Sequence, residues 1–445
     1  MTRSVLWLRR DLRLRDHGAL LAAARAGEVL PVFVLDPRLY DRAGEPRRRF
    51  LLDSLHALDA DLRSYGARLV VRSGDPVEVV PDLVREVDAD QVHVSADFGP
   101  YGRRRDDAVR SALGEIPLNE SDSPYAVAPG RVRTGGGTAF KVFGPFYRAW
   151  LEHGWDVPAP SDPGSVEWVG ARTERLPGRG PSDGVELPEA GERAAHEAWE
   201  AFQERLGDYG RDRDRADLDR TSHLSAYLKW GAIHPRTLLD GLGPDDETFR
   251  TELAWREFYA AVLSRWPESA REYFQPKLTR LPYVSGATLR ARLGAWQEGR
   301  TGYPFVDAGM RQLLATGWMH NRLRMVVASF LVKDLAVEWT HGARHFMAHL
   351  VDGDLASNQH GWQWAAGSGT DAAPYFRVFN PVTQGRKFDP SGDFVRRWVP
   401  ELADVAERYV HEPWRSPDGL PGDYPEPIVD HAEERRRALA DYERL

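Results

Sequence analysis

Residues 4–36 read SVLWLRRDLRLRDHGALLAAARAGEVLPVFVLD, and they begin and end with a short apolar run. Four such runs are predicted to be strands: SVLWLRR (4–10), VLPVFVLD (29–36), ARLVVRSGD (67–75) and QVHVSAD (91–97). Amphipathic segments such as residues 47–66 separate them. Apolar strands that alternate with helices are typical of a buried parallel sheet. We therefore predict an open, Rossmann-like α/β sheet near the N-terminus. Because no GxGxxG follows the first strand, we expect no ordinary dinucleotide site there.

The rest of the chain changes character twice. From Pro158 to about Glu192 it is rich in Pro, Gly and Asp without periodicity, which predicts a connector. Helical patterns follow at 191–206, 248–266 and 306–335, and Gly317 interrupts the last of them. We predict an α/β domain (1–128), a linker (129–195) and an all-helical domain (196–445).

Composition excludes several classes of chemistry. The 445 residues include no cysteine, which excludes disulfides, thiolate nucleophiles and zinc–thiolate sites. A net charge of −8 argues against sequence-independent coating of nucleic acid, although a local basic groove remains compatible with it. The N-terminus lacks an apolar signal core, and no apolar run is long enough to span a membrane. We therefore expect a cytoplasmic protein without membrane association.

Residues 352–376, DGDLASNQHGWQWAAGSGTDAAPYF, concentrate acids, an amide and large aromatic residues. Asp352 and Asp354 are spaced as at the start of a calcium loop, but Gln363 occupies the twelfth position, where such a loop needs Glu. We predict no metal site. Aspartates at a helix end would instead cap backbone N–H groups.

The two tryptophans of this segment, Trp362 and Trp364, have two possible arrangements. On an extended segment they would share a face, and on a helix they would diverge by roughly 200°. A buried tryptophan most often packs in a core. The residues alone leave these alternatives open.

A second cluster is TSHLSAYLKWG (221–231), which brings three hydroxyls, Thr221, Ser222 and Ser225, to a predicted helix start. Free N–H groups at a helix start favour a phosphate, although an N-cap with a spare serine would look the same. Just upstream, arginines and aspartates alternate in YGRDRDRADL (209–218). That pattern fits a solvated face or an edge that contacts phosphates.

Two helical segments carry polar residues at helical spacing. Glu252, Trp255 and Arg256 lie at i, i+3 and i+4. Asn321, Arg324 and Met325 have the same spacing in an otherwise apolar segment. A buried arginine needs a partner, and Asp352 is the acid that we expect to pair with Arg324. The pattern indicates a polar, aromatic-lined pocket for a phosphate-bearing ligand.

Six stretches in order resemble the photolyase/cryptochrome family, and specifically its microbial class I cyclobutane pyrimidine dimer photolyases. They are LWLRRDLRLRDHGAL, AWREFY, AWQEGRTGYPFVDAGMRQL, TGWMHNRLRMVVASFLVKDL, DGDLASNQHGWQW and GTDAAPYFRVFNPVTQGRKFD. The resemblance covers nearly the whole chain. It implies FAD in the helical domain and light-driven repair of cyclobutane pyrimidine dimers in DNA.

By match to the family's motifs, Tyr209, Thr221, Ser222 and Ser225 would hold the FAD phosphates and nearby groups.

The resemblance also assigns residues around the flavin ring. Arg324 and Asp352 would form the ion pair beside it, Asp354 would accept a hydrogen bond at its edge, and Asn358 would face flavin N5. A neutral amide suits a reduced anionic flavin, because a carboxylate there would repel its charge or donate a proton.

The same match implies a substrate pocket. Trp255 and Trp364 would grip the flipped dimer, since a lesion inside a duplex is unreachable until it is extruded. Glu252 and Asn321 would hydrogen-bond the pyrimidine edges and stabilise charge once the dimer gains an electron. Met325 would pack against the pyrimidines.

DNA that contains the dimer is thus the expected partner of a monomeric protein. Arg213, Arg256 and Arg322 would contact its phosphates. Related enzymes for the (6-4) photoproduct typically have a second histidine where this chain has Asn321, so the residue favours the cyclobutane dimer.

Members of the family usually carry three tryptophans that conduct electrons from the surface to the flavin. Trp362 and Trp339 match the inner two, but Gly286 stands where the outer one is expected. Either photoreduction of oxidised FAD is impaired, or electrons travel through Tyr283 or Trp296. His223 and His17 also depart from the family pattern, which commonly has Arg and Asn there.

An antenna chromophore is expected in the N-terminal domain. DFGPYGRRRD (97–106) resembles the 8-hydroxy-5-deazaflavin-binding subgroup, with Arg10, Asp97 and Lys229 as contacts. Methenyltetrahydrofolate is the alternative chromophore, and an empty site is the third possibility. Lys229 could also be an ordinary surface lysine.

Two other functions are alternatives to repair. A cryptochrome-type blue-light receptor without repair turnover is the alternative, but the pocket residues of repair enzymes are retained here. An unrelated flavin oxidoreductase would need a nicotinamide site, and the sequence offers none.

Overall fold

The predicted N-terminal sheet is confirmed by a computed structural model, which describes residues 2–178, 184–372, 374 and 376–445. Five parallel strands pair in the order β3-β2-β1-β4-β5. They are β1 (Thr2–Leu8), β2 (Gly27–Leu35), β3 (Val70–Ser73), β4 (Gln91–Ser95) and β5 (Leu118–Asp122). The apolar runs did not indicate β5, because this edge strand has the polar sequence LNESD.

Both faces of this sheet are buried, which explains the uninterrupted apolar runs. Successive side chains of a strand point to opposite faces. Accordingly, Leu6 and Leu8 belong to one core cluster, and Val5 and Trp7 belong to another.

Helices cover the sheet and make up most of the remaining chain. In chain order they are α1 (Gly18–Ala26), α2 (Pro37–Tyr40), α3 (Glu45–Ser64), α4 (Pro76–Glu86), α5 (Pro100–Leu113), α6 (Phe143–His153), α7 (Glu192–Gln203), α8 (Tyr209–Asp212), α9 (Ser225–Trp230), α10 (Pro235–Asp240), α11 (Glu247–Arg265), α12 (Gly286–Gln297), α13 (Pro304–Thr316), α14 (Asn321–Ser329), α15 (Trp339–His349), α16 (Leu355–Ala366), α17 (Pro381–Phe388), α18 (Asp393–Trp398) and α19 (His431–Glu443). The predicted helices at 191–206 and 248–266 correspond to α7 and α11.

The third predicted helical stretch is divided at Gly317, as its sequence indicated. Gly317 has φ 64° and follows α13, and its N–H donates to the Leu313 carbonyl. Most side chains disfavour that conformation, so glycine ends the helix there. The chain then resumes as α14, which continues into a π-helical turn, Phe330–Asp334.

The chain forms two compact units. The first comprises Met1–Asp183, Pro188–Gly207 and Ser222–Pro267, and the second comprises Gly184–Leu187, Asp208–Thr221 and Glu268–Leu445. These units do not follow the predicted boundaries at 128 and 195, which stay a prediction. The second unit has one large core that includes Trp296, Trp339 and Trp362.

Part of the predicted linker 129–195 is ordered structure. It contains α6, and Val29 of β2 exchanges backbone hydrogen bonds with Glu167 and Val169 at 2.8 and 3.0 Å. These bonds satisfy backbone N–H and C=O groups of β2 at Val29, before the strand begins to pair with β3. Residues 179–183 of the predicted linker lie outside the described residues. No helix in the described part of the chain combines the length and apolar character needed to cross a membrane.

Candidate functional site

The acidic, tryptophan-rich segment forms α16, and Asp354 caps its first turn. The Asp354 carboxylate accepts a hydrogen bond from the Ser357 N–H at 3.1 Å, which satisfies one free donor at the helix start. On this helix Trp362 and Trp364 point to different sides. Trp362 is buried, whereas Trp364 packs against the core only in part. Of the two arrangements left open by the sequence, the structure has the helical one.

Arg324 and Asp352 form the ion pair that the sequence predicts. The two terminal guanidinium nitrogens of Arg324 donate to the two Asp352 carboxylate oxygens at 3.2 and 2.7 Å. The third donor, Nε, bonds to the Met319 carbonyl at 2.7 Å. The Asp352 side chain is nearly inaccessible and that of Arg324 is 25% exposed, so one side of the pair can meet a ligand. Fork-to-fork pairing of this kind fixes both side chains.

Asn358 lies one turn into α16 and is buried. Its Nδ2 group donates to the Ala343 carbonyl at 3.1 Å and to Gln359 Oε1 at 2.8 Å. Because both N–H donors are used inside the protein, a ligand that contacts this amide meets its carbonyl oxygen, a hydrogen-bond acceptor.

Asn321 and Met325 lie one turn apart at the start of α14. Asn321 is exposed, and its Nδ2 group is 4.0 Å from the Met325 sulfur. His320 caps this helix, because its Nδ1 accepts the Arg322 N–H at 3.1 Å. The structure therefore presents an amide and a thioether together on the first turn of α14.

Arg322, on the same turn, already has partners. Its guanidinium donates to Asp214 at 2.6 Å and lies over the Phe388 ring at 4.4 Å from the centroid. The pairing with Asp214 was not readable from the sequence, because alternating Arg and Asp residues offer many possible partners. Its predicted role with DNA phosphates stays a prediction.

The second unit also contains Tyr209, Arg213 and Thr221. The Arg213 guanidinium lies 5.6 Å from the centre of the Tyr209 ring. The Thr221 hydroxyl is buried and has no hydrogen-bond partner among the described residues. A buried hydroxyl without a partner is costly, so this atom fits a site that a polar ligand completes.

The two predicted electron carriers, Trp339 and Trp362, are both buried in the core of the second unit. A Cβ atom added to Gly342 would lie 2.1 Å from Trp362 Cη2, so the Trp362 ring presses against α15, the helix that begins at Trp339. Only glycine leaves room for that contact.

The sequence analysis identified only some of the neighbours of these two rings. Trp362 meets Trp296 edge-to-face at 5.9 Å, and Trp339 meets Tyr273 in the same way at 5.9 Å. Tyr273 was not singled out, because no local pattern links it to Trp339.

In the first unit, α11 carries Glu252, Trp255 and Arg256. The Trp255 ring stacks on Phe143 at a centroid distance of 3.7 Å and an angle of 6°. The Arg256 guanidinium donates to the Pro124 and Leu228 carbonyls at 3.0 and 3.1 Å. These bonds give Arg256 a structural role, and its predicted contact with DNA phosphates stays a prediction.

The neighbouring Glu257 is a buried acidic residue that the sequence analysis overlooked. It is fully buried, and its carboxylate accepts from the Ala126 and Val127 N–H groups and from Trp150 Nε1. Burial raises the pKa of Glu257 to about 7, while these three donors favour the charged form. It joins α11 to the segment around Ala126 and to α6.

The hydroxyls of Ser222 and Ser225 flank the start of α9. Ser225 is the first residue of that helix, and Ser222 Oγ accepts the Leu224 N–H at 3.4 Å. Between them His223 has φ 52°, a conformation that few residues other than glycine adopt. His17, the other departure from the family pattern, caps α1 through an Nδ1 that accepts the Leu20 N–H at 3.2 Å. It thus caps the helix start, a position for which Asn is also suited.

The structure brings the three predicted antenna contacts into one region of the first unit. Arg10 Nε donates to the Lys229 carbonyl at 3.4 Å, and Asp97 is 3.3 Å from Arg105. Burial acts to raise the pKa of Asp97, but the guanidinium groups of Arg105, Arg10 and Arg9 hold it below its usual value.

Gly231 makes this approach possible. It has φ 68°, and an added Cβ atom would lie 2.0 Å from the Arg10 carbonyl oxygen. Within the described ranges, no three His, Asp or Glu side chains are grouped so that they could hold a metal ion.

Comparison with known proteins gives consistent matches along the chain. The family described as DNA photolyase matches residues 4–164, and the family described as FAD binding domain of DNA photolyase matches residues 249–444. The chain is 41% identical, over 469 aligned positions, to the deoxyribodipyrimidine photo-lyase of Escherichia coli, with 100% of this chain and 99% of that protein covered.

Two solved structures are similar over the full length. A class III photolyase from Agrobacterium tumefaciens has a TM-score of 0.93 at 36% identity, covering 100% of this chain and 98% of that one. An archaeal photolyase from Sulfolobus tokodaii, solved with two FAD molecules, has a TM-score of 0.87 at 30% identity, with both chains fully covered.

Proposed function

The chain belongs to the DNA photolyase family, and on that premise we propose that it repairs cyclobutane pyrimidine dimers in DNA by light-driven electron transfer from reduced FAD. The Arg324–Asp352 pair carries this proposal, because it fixes a charged donor and a charged acceptor side by side with one edge exposed. Such a pair suits the polar edge of a flavin, which carries both donors and acceptors.

The residues present fit FAD. The buried Thr221 hydroxyl, which has no partner among the described residues, suits a phosphate oxygen or a nearby hydroxyl. Tyr209, Ser222 and Ser225 are each proposed to hold the FAD phosphates or nearby groups as well. Asn358 offers a carbonyl oxygen, which suits the N5–H of a reduced flavin better than a carboxylate would. Asp354 would accept a hydrogen bond at the flavin edge.

Bound here, reduced FAD would supply the light-driven one-electron chemistry that splits the cyclobutane ring. The protein binds and orients the lesion. Trp255, backed by Phe143, and Trp364 grip the extruded bases, and Met325 packs against them. Glu252 and Asn321 hydrogen-bond the pyrimidine edges, and the Asn321 amide N–H stabilises the negative charge that the electron brings.

DNA binding depends on a local basic rim in a protein whose overall charge is −8. Arg213, Arg256 and Arg322 supply positive charge for phosphates. Asn321, in place of a second histidine, supports the cyclobutane dimer as the substrate. We also propose a monomer that works in the cytoplasm, a reducing compartment that suits a chain without cysteine.

A second chromophore is proposed for the first unit. Arg10, Asp97 and Lys229 would hold 8-hydroxy-5-deazaflavin, with methenyltetrahydrofolate as the alternative. The charge around Asp97 supports a polar ligand there, because three arginines stabilise its carboxylate. Absorption of the purified protein beyond that of FAD would identify the antenna.

Repair is tested by mixing the chemically reduced protein with dimer-containing oligothymidine under blue light. The ultraviolet absorbance of thymine should return in light and stay low in a dark sample. A protein that binds FAD but loses no dimer in light would act as a receptor of the cryptochrome type, and the repair proposal would be wrong.

A further inference from the structure

Trp339 lies against a tyrosine and not against a third tryptophan. Its ring meets Tyr273 edge-to-face at a centroid distance of 5.9 Å and an angle of 82°. At Gly286, where a third tryptophan was expected, the chain is exposed and a Cβ atom would have no neighbour within 4 Å. Among the described residues, nothing therefore lies close enough to that position to pack against the base of an aromatic side chain.

Tyr273 belongs to a short hydrogen-bonded chain. Its hydroxyl is 3.1 Å from the Tyr283 hydroxyl and 3.1 Å from Glu338 Oε1. The single phenolic proton of Tyr273 can be donated to either acceptor. When Glu338 receives it, the Tyr283 hydroxyl can donate to Tyr273 in turn. Glu338 is held in place by the Thr340 hydroxyl, which donates to its other oxygen at 3.1 Å.

Both phenols hold their protons at neutral pH. Burial raises the pKa of Tyr273, and Tyr283 and Glu338 raise it further. Burial also raises the pKa of Tyr283, to about 12. Each tyrosine is partly buried and packs against the core of the second unit.

The tryptophans differ from Tyr273 in one decisive respect. Neither Trp339 Nε1 nor Trp362 Nε1 has a hydrogen-bond partner among the described residues. An indole that loses an electron there has no group that can accept its proton. Trp296 offers no route outward, since it is fully buried and its Nε1 donates to the Val327 carbonyl at 3.0 Å. Tyr273 is thus the ring next to Trp339 that has a carboxylate within hydrogen-bond distance.

We propose that Tyr273 and Tyr283, with Glu338 as proton acceptor, form the outer end of the electron path by which oxidised FAD is photoreduced in this protein. The inference rests on the proposed function, because light-excited oxidised FAD is the oxidant. Trp339, oxidised through Trp362, takes one electron from Tyr273, and the phenolic proton passes to Glu338. The Tyr283 hydroxyl then gives a hydrogen atom to the neutral Tyr273 radical.

A thiol in solution completes the balance. It donates one hydrogen atom to the Tyr283 radical, and Glu338 releases its proton to water. One electron has then moved inward for each thiol oxidised to a thiyl radical, and both tyrosines are restored.

Flash spectroscopy of the FAD-loaded protein with a thiol present tests this path. The wild type should show a tyrosyl radical, by absorption and by electron paramagnetic resonance, that forms as the tryptophan radical decays and forms more slowly in D₂O. Tyr273→Phe should lose the tyrosyl signal and return the electron to the tryptophan. Tyr283→Phe should keep the signal at Tyr273 but slow its reduction by the thiol.

Tyr303→Phe is the matched control, since Tyr303 is a buried, hydrogen-bonded tyrosine of the same unit. It should keep both the tyrosyl signal and photoreduction. FAD content and thermal unfolding of each variant show that it is folded. A wild type without a tyrosyl radical, or a Tyr273→Phe variant that keeps one, overturns the path.

Failure of this inference is distinguishable from failure of the proposed function. Chemically reduced wild type needs no photoreduction, so its repair of dimers tests the proposed function alone. Tyrosine titration supplies a readout independent of the flavin. Because the Glu338 charge raises the pKa of Tyr273, Glu338→Gln should lower the pH at which the last tyrosines ionise.

Discussion

The guanidinium of Arg324 on α14 meets the carboxylate of Asp352 with both terminal nitrogens, at 3.2 and 2.7 Å, although the two residues are 28 positions apart in the chain. The pair ties the first turns of α14 to the start of α16. It thereby joins the helix that carries Asn321 and Met325 to the helix that carries Asn358.

Loss of this pair should cost both stability and cofactor. Asp352→Asn should lower the free energy of unfolding by about 1–3 kcal/mol, because it leaves a guanidinium with a weaker partner. Exposure of one side of Arg324 keeps the loss below that of a fully buried pair. Urea unfolding and FAD content measure the two effects. Asp404→Asn, at an exposed aspartate, should change neither.

Two glycines on neighbouring helices should respond in opposite directions to alanine. Gly342→Ala should destabilise the protein by about 1–3 kcal/mol, because the new methyl group would displace the Trp362 ring. Gly361→Ala places its methyl group in open space on α16 and should stabilise by about 0.5–1 kcal/mol. Urea unfolding measures both. Equal effects would contradict the close contact at Gly342.

The protein should lose stability in acid because of His345. Burial, with a smaller contribution from His349 at a ring distance of 4.2 Å, lowers the pKa of His345 to about 3. The unfolded chain binds this proton near pH 6.5 and the folded chain only near pH 3. The contribution of His345 to the free energy of unfolding is therefore complete above about pH 6.5. It declines as pH falls, by at most about 1.4 kcal/mol for each pH unit.

The measurement is urea unfolding from neutral pH down to the acid limit of folding. His345→Gln should flatten this dependence, whereas His56→Gln, at an exposed site, should preserve it. An unchanged slope in His345→Gln would assign acid lability to other groups.

Asp214 should restrain DNA binding through Arg322. Asp214→Asn releases the Arg322 guanidinium from its 2.6 Å contact and should tighten binding to dimer-containing DNA. Arg322→Ala should weaken it and reduce the slope of log affinity against log salt by about 1, as expected for one lost phosphate contact. Filter binding over a salt series measures both. If Asp214→Asn tightens binding equally in an Arg322→Ala background, Arg322 is not the group released.

Glu252 should matter for repair and not for FAD binding. Glu252→Gln should slow dimer splitting by about tenfold or more, since it replaces a hydrogen-bond acceptor that orients the pyrimidine edge. Single-turnover repair under blue light and the FAD absorbance measure the two properties. Glu247→Gln, on the exposed first turn of the same helix, is the matched control. Loss of FAD from Glu252→Gln would assign Glu252 to the cofactor instead.

Local sequence patterns predicted the strands well where both faces of the sheet are buried, and they also predicted a helix end. The four apolar runs are strands because both faces of the sheet are covered, and Gly317 ends a helix because its backbone conformation favours glycine. The edge strand β5 was missed because its polar residues, LNESD, leave no apolar run to recognise. The pairing of Arg324 with Asp352 was predictable, because an arginine in an apolar helical segment needs an acidic partner. The motif that begins at Asp352 offered few acidic residues.

The sequence by itself determined the parallel sheet, the helical remainder, the cap at Asp354 and the family, because strand alternation, helix periodicity and capping act over a few residues. Only the tertiary structure decided that Trp255 stacks on Phe143, that Asp214 holds Arg322 and that Tyr273 lies beside Trp339. Tyr273 and Glu338 are 65 residues apart, and no local pattern encodes such a contact. Tertiary packing of the helices and of the segments between them brings these groups together, and the proposed exit of the electron path depends on that packing.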